Sequence, residues 1–247
     1  MRSLIITVAG LSSRFNRDLD KPVLKCLYYR KSYKASLLYQ LVRKAGDIDE
    51  IVIVGGYLYN DLEKFVRTYF SKSASKIRLV FNQHFDDFGS GYSLLKGIEN
   101  VNDLSDEVIF VEGDLFFDME SFKEVIYSSK NVITINHEPI YADKAVAIYL
   151  SEKGNPRYIY DTSHEVLQVN EPFKAIFNSG QIWKFLSVRE LKKICKTLSE
   201  PRLQGTNLEI IQTYFNNMNI RDIDIVAIRN WINCNTVADY DKVENQI

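Results

Sequence analysis

Short apolar, β-branched runs recur through the first half of the chain at residues 4–8, 51–54, 77–81, 108–111 and 132–135. Between several of them, over 35–45, 60–70, 92–99 and 119–128, apolar residues fall at helical spacing. This alternation predicts βαβ units around a mostly parallel sheet flanked by helices. From about residue 145 the texture changes to Tyr-rich, polar-alternating pieces at 146–150, 157–160 and 166–169. These predict antiparallel strands or hairpins added beside the sheet, an acceptor-side β insertion over about 140–180. Helical spacing returns over 188–198 and 208–215, followed by a strand at 223–228 and a last helix from about 238. No internal repeat, low-complexity tract or linker interrupts the pattern, so one α/β Rossmann-like domain over 1–247 is expected.

Composition narrows the function classes. Thirty-one basic residues against thirty-two acidic ones leave a formal net charge of −1, which argues against broad electrostatic capture of nucleic acid or an anionic membrane. Any affinity for phosphate must therefore be local. Cys26, Cys195 and Cys234 are odd in number with no paired spacing, which indicates neither a disulfide framework nor a structural zinc site. The opening apolar run is too short for a signal-peptide core or a membrane span. A reduced, cytoplasmic setting is expected.

The local phosphate chemistry is expected where the first strand ends. Ala9, Gly10, Leu11, Ser12 and Ser13 form a small-residue turn, followed by Arg14, by Lys21 ahead of Pro22, and by Lys25. Backbone N–H groups approach phosphate oxygens closely only where side chains are small, and the spaced cations would neutralise a triphosphate. The turn matches neither Gly-x-x-x-x-Gly-Lys-Ser/Thr nor Gly-x-Gly-x-x-Gly, so an ATPase P-loop or a dinucleotide site is not indicated. The bland alternative is a polar surface loop. Its place at the carboxyl end of the first strand, where open α/β sheets bind ligands, favours a site.

A second constellation, Glu112-Gly113-Asp114, follows another apolar strand. A carboxylate at such a strand tip can hold Mg²⁺ against phosphate oxygens, with Gly113 letting a nucleotide pass close to the backbone. Asp114 is the expected metal ligand. Asn82, Ser90 and Ser93 belong to a loop leading into a helix, with the two serines as N-cap candidates and the loop as a wall of the base or acceptor pocket. Late in the chain Asn235 is placed to complete the metal shell, while Thr236 suits a helix cap. For the acceptor, Trp183, Trp231 and the Tyr-rich segment from Tyr149 to Tyr160 could cage a quaternary ammonium, and Lys144 or Lys174 could grip a phosphate. The histidines, His84, His137 and His164, form no nucleophile–base arrangement.

Residues 9–15, Lys21-Pro22, 112–114 and 235–240 together resemble the nucleotidyltransferases of the glycosyltransferase-A-like fold, in order and spacing, over nearly the whole chain. Within them the chain looks most like the phosphocholine cytidylyltransferase branch, through Arg14, Lys21, Asn82, Tyr92-Ser93-Leu94 and Trp231. The resemblance implies that the first loop binds the triphosphate of CTP, that Lys21 meets its α-phosphate, and that Asp114 with Asn235 binds Mg²⁺. Two positions depart from the pattern: Ser12 stands at the usual second glycine, and Asn235 at the late carboxylate. The implied reaction moves CMP from CTP to a small phosphomonoester and releases pyrophosphate. Sugar-1-phosphate nucleotidyl transfer, glycosyl transfer and non-catalytic nucleotide binding are the competing readings.

Overall fold

The computed structural model describes residues 1–142, 146–160, 166–216 and 218–247. The chain runs β1 (Arg2–Val8), α1 (Ser13–Asn16), α2 (Leu37–Lys44), β2 (Glu50–Gly55), α3 (Tyr59–Tyr69), β3 (Ile77–Phe81), α4 (Ser90–Asn100) and β4 (Glu107–Glu112). It continues β5 (Leu115–Phe116), α5 (Met119–Tyr127), β6 (Asn131–Asn136), β7 (Ala147–Ser151), β8 (Pro156–Ile159) and β9 (Phe173–Phe185). The remainder is α6 (Val188–Thr197), α7 (Glu200–Leu203), α8 (Leu208–Phe215), β10 (Ile223–Ala227), β11 (Ile232–Asn233) and α9 (Val237–Glu244).

The main path of the central sheet is β10-β6-β9-β4-β1-β2-β3. Only β9 runs antiparallel to its neighbours on this path; the other pairings are parallel. The mixed, mostly parallel α/β architecture expected from the sequence is therefore present, with β7 and β8 as its small antiparallel addition. Along β1, Leu4, Ile6 and Val8 face one apolar layer and Ile5 the other, the two-residue period of a strand covered on both sides. The first layer includes Leu38 and Leu41 of α2, Leu62 of α3 and Phe122 of α5; the second includes Leu94 of α4, Leu191 of α6 and Ile211 of α8.

Two expectations fail here. Residues 166–169 form no strand; the strand on that side is β9, which begins at Phe173 and runs unbroken to Phe185. Through the polar Asn178-Ser179-Gly180 the strand continues by placing Gln181 in the left-handed region (φ 56°) and shifting its pairing with β6 between Ile133 and Ile135. The first half of β9 pairs with β7 and the second with β4, so one strand joins the β7–β8 hairpin to the middle of the sheet.

Trp183 on β9 is the second correction. It is 0% exposed, stacked on Phe110 with ring centroids 5.2 Å apart, and its Nε1 donates to Tyr158 Oη at 2.7 Å. An indole satisfied inside the core cannot meet an acceptor, so Trp183 is a packing residue. Trp183→Ala should cost about 3–5 kcal/mol of stability, read as a lower denaturation midpoint in urea.

Candidate active site

The strand order places a topological switch between β1, which continues to β2 and β3 on one side, and β4 on the other. Ligands of open α/β sheets bind at such a point, outside the carboxyl ends of the strands. Here the gap between those ends is closed to contact distance by Gly113, whose N–H donates to Thr7 O at 3.0 Å. A Cβ at Gly113 would lie 2.2 Å from Val8 Cγ1 and 2.8 Å from Thr7 O, so this glycine is required by strand packing and not only by a passing ligand. A Cβ at Gly10, by contrast, would meet nothing within 4 Å. A pocket of about 200 Å³ opens at this point, lined among others by Ala9, Gly10, Ser12, Lys25, Gly113 and Asp114.

Ser12, standing where the resemblance has glycine, holds the left-handed conformation (φ 56°) that opens α1. Such a backbone is unfavourable for a residue with a Cβ. Its hydroxyl offsets this by accepting from Lys25 N at 3.2 Å, which ties the turn to the segment carrying Lys25.

That segment delivers the lysine of the site, and it is not Lys21. Lys21 is exposed and absent from the pocket lining. Four residues on, Lys25 Nζ lies 2.7 Å from Asp114 Oδ2 and 3.2 Å from Asn235 Oδ1. Arg14 reaches the same amide oxygen from the other loop, Nη2 to Asn235 Oδ1 at 3.0 Å. Two cations, Asp114 and Asn235 thus converge from four separate stretches of the chain. Lys25 was visible in the sequence as one of three spaced cations, but nothing in the spacing told which would turn inward.

Asn235 is held from behind. Cys234 N donates to Asp114 O at 2.8 Å, and Asn235 N and Thr236 N both donate to Asp239 Oδ2. Thr236 and Asp239 form a capping box at the start of α9, as Thr236 suggested.

The other expected residues divide. Ser90 and Ser93 line the pocket but cap nothing: the N-cap of α4 is Gly89, Ser90 Oγ accepts from Asn207 N at 3.0 Å, and Ser93 Oγ accepts from Asn82 Nδ2 at 3.0 Å. Asn82 is buried and its amide is taken up by His84 N, which donates to Oδ1, and by Ser93 of α4; it is not among the residues that line the pocket. Phe85 and Phe88, which drew no assignment in the sequence, form an apolar wall instead. Leu11 and Ser13 are exposed on the turn. On the acceptor side Trp231 is half-buried with Nε1 donating to Gly180 O at 2.9 Å, Lys174 is exposed at the start of β9, and Lys144 and His164 lie outside the described residues. His84 faces Asp87 and stacks on Phe88 at 4.2 Å, whereas His137 is exposed.

The chemistry of the donor set suits a hard divalent cation. Asp114 Oδ1 is buried without a hydrogen-bond partner, an arrangement that costs stability unless something electropositive fills it. Glu112, on the last residue of β4, offers a second carboxylate and Asn235 an amide oxygen, the oxygen ligands Mg²⁺ takes alongside phosphates and water. Among the described residues no group of three His, Cys, Asp or Glu side chains is clustered as a self-sufficient metal cage. The residues therefore fit a metal that arrives with a phosphate ligand.

Burial, and then the charge of Asp114, push the Glu112 carboxyl up to about 7, although the Asn207 amide (Nδ2 to Oε1, 2.7 Å) and Lys25 pull the other way. A raised carboxyl stabilises the fold fully below its ordinary value of 4.5, and that contribution is lost as pH rises through 7. Glu112→Gln keeps an acceptor for Asn207 and removes the charge. It should raise the melting temperature of the metal-free protein at pH 8 and leave it nearly unchanged at pH 5, as checked by thermal melts at both.

The same architecture recurs in solved structures. The inositol-1-phosphate CTP transferase from T. maritima superposes with a TM-score of 0.71 at 14% identity, over 99% of this chain and 95% of that one. A putative glucose-1-phosphate thymidylyltransferase from Bacillus anthracis gives 0.73 at 15% identity, over 100% and 95%. The CTP:phosphocholine cytidylyltransferase from Streptococcus pneumoniae gives 0.64 at 17%, over 99% and 98%. At these identities the likeness is one of fold: the chain has the nucleotidyltransferase fold that the resemblance implied. No curated protein matches the sequence. The family model described as "Domain of unknown function (DUF6564)" matches residues 21–247, which leaves the turn around Gly10 outside the match but takes in Lys25, Asp114 and Asn235. On that match the chain belongs to the DUF6564 family.

Proposed function

We propose that this protein is a nucleotidyltransferase that moves CMP from CTP to a small phosphomonoester, with Mg²⁺ and release of pyrophosphate. The observation that carries the reading is the convergence of Arg14, Lys25, Asn235 and Asp114, with its buried unpartnered oxygen, at the β1–β4 switch point. Two spaced cations beside an acidic strand tip suit a triphosphate held with a divalent metal. CTP is favoured by the motif resemblance and by two of the three structural neighbours being CTP-dependent in name, and Phe85 and Phe88 offer an apolar wall for a base.

An acceptor phosphate oxygen attacks the α-phosphorus, the bond from that phosphorus to the bridging oxygen of the β-phosphate breaks, and pyrophosphate leaves with the electron pair. A phosphomonoester has its second pKa near about 6, so its nucleophilic oxygen is largely ionised at neutral pH and needs no general base. The histidines' placement agrees: among the described residues neither His84 nor His137 lines the pocket. Bound Mg²⁺ would neutralise charge on the phosphates, with Asp114, Asn235 and Glu112 as its protein oxygens. Arg14 and Lys25 would orient the triphosphate and meet the charge that builds on the leaving pyrophosphate.

The acceptor is read as a small phosphomonoester on the β7–β9 side of the site. With Trp183 in the core, of the two tryptophans only Trp231 remains to contact it. No helix of the described residues is long and apolar enough to cross a membrane, and the near-zero net charge gives no reason to expect nucleic acid as a partner.

The reaction is tested by incubating the protein with Mg²⁺, each nucleoside triphosphate and a panel of phosphocholine, amino-acid phosphates, aminoalkyl phosphonates and sugar 1-phosphates while pyrophosphate release is followed. Release that requires both CTP and one acceptor is expected. Turnover of a UDP-sugar, or nucleotide binding without turnover, would overturn the reading. Within the active enzyme, Lys25→Ala should lower kcat/KM by about 10²-fold, the scale for losing one preorganised charge stabiliser. Arg14→Ala should raise KM for the triphosphate as well as lower kcat. Lys21→Ala, at an exposed position, should stay within about twofold of wild type.

A further inference from the structure

A carboxylate presents oxygen whichever way it turns, whereas an amide presents an acceptor on one side and a donor on the other. At Asn235 the sense of the amide therefore matters. Its Oδ1 lies toward Arg14 Nη2 and Lys25 Nζ, both of which can only donate. Its Nδ2 is thereby turned away from the site and donates to Asn233 Oδ1 at 2.8 Å. This sets the sense of the second amide: Asn233 Nδ2 points on to Gln181 and donates to Oε1 at 3.2 Å. Gln181 is 2% exposed and sits at the left-handed bend of β9. Asn233 is carried on β11, opposite Leu115 of β5, directly after the strand turn that bears Asp114. Three amides thus form a directed run from the sheet interior to the site.

We propose that Asn233 and Gln181 are positioning residues that lock the Asn235 amide with its oxygen facing the site, which lets a neutral side chain act as an oxygen ligand beside Asp114. The inference rests on the nucleotidyl-transfer reading above. The physical need for it arises on loading. In the ligand-free protein Arg14 and Lys25 themselves orient the amide. Once those cations turn to phosphate oxygens, the bond to Asn233 is the constraint that remains on the amide's direction. An unlocked amide can present Nδ2 to the metal, which no cation tolerates.

The test uses the full chain with saturating CTP and no acceptor, and reads the Mg²⁺ dependence of the thermal midpoint. Asn233→Leu and Gln181→Met should each raise the Mg²⁺ concentration for half-maximal stabilisation about fivefold or more, the effect of losing one buried hydrogen bond. Gln181→Glu, which still accepts from Asn233, should lie within about twofold of wild type. The deciding comparison is an Asn235→Asp background, where both oxygens are equivalent and orientation no longer matters: there Gln181→Met and Asn233→Leu should add nothing to the Mg²⁺ half-point. A role in packing alone would persist in that background. The proposal is overturned if both variants titrate like wild type, or if their effects carry over undiminished into Asn235→Asp. Should Gln181→Met fail to fold, Asn233→Leu, at a half-buried position, decides on its own. A wild-type protein with no Mg²⁺-dependent response to CTP removes the function reading itself, whereas a wild-type response shared by every variant removes only the amide lock.

Discussion

The close approach of the carboxyl ends of β1 and β4 is the constraint on which the rest of the site depends. It exists because Gly113 has no side chain: its amide reaches Thr7 O, and a methyl group there would strike Val8. From that contact follow the position of Asp114 one residue later, the antiparallel pairing of β5 with β11, and the seat of Asn235. Lys25 completes the arrangement from outside the sheet. Its segment is fastened to the first loop by Ser12, so the turn and the lysine are placed by the same hydrogen bond.

The electrostatics are those of a site prepared for an anion. Lys25 pairs with Asp114, Arg14 bonds the neighbouring Asn235, and burial inclines Glu112 to hold its proton near neutrality. Asn235 contributes oxygen without charge. About a fifth of each of the Lys25 and Asp114 side chains is exposed, so their ion pair stays open to the pocket. Three buried cysteines, two of them near this pair, have their thiols pushed up by burial, which disfavours the reactive thiolate.

Much of the fold was legible because buried parallel strands are written as compact apolar runs. β3 and α8 fall on the residues their patterns predicted, and the other core elements differ by one or two positions at their ends. β9 was not legible. Its polar Asn178-Ser179-Gly180 core is stabilised by pairing on both edges, which a local pattern does not record. The site showed the same division. That Gly10, Arg14, Asp114 and Asn235 lie together at one end of the sheet could be read from strand ends and motif spacing. The choice of Lys25 over Lys21 could not, because it depends on how the segment after Pro22 folds back onto Ser12. Trp183 was misassigned since burial of an aromatic is a property of the sheet around it, and Asn82 since its partner, Ser93, lies in the following helix.

The first turn of α4 has its own consequence. Gly89 N donates to Gln204 O at 2.6 Å and Gly91 N to Gly205 O at 2.9 Å, while Asn207 bonds both Ser90 Oγ and Glu112 Oε1. The wall formed by Phe88 to Ser90 is therefore stitched to the 204–207 turn. A displacement of this wall would pull on the turn, and through Asn207 on Glu112 at the acidic end of β4. The aromatic side of the pocket and its carboxylate side are thereby mechanically joined.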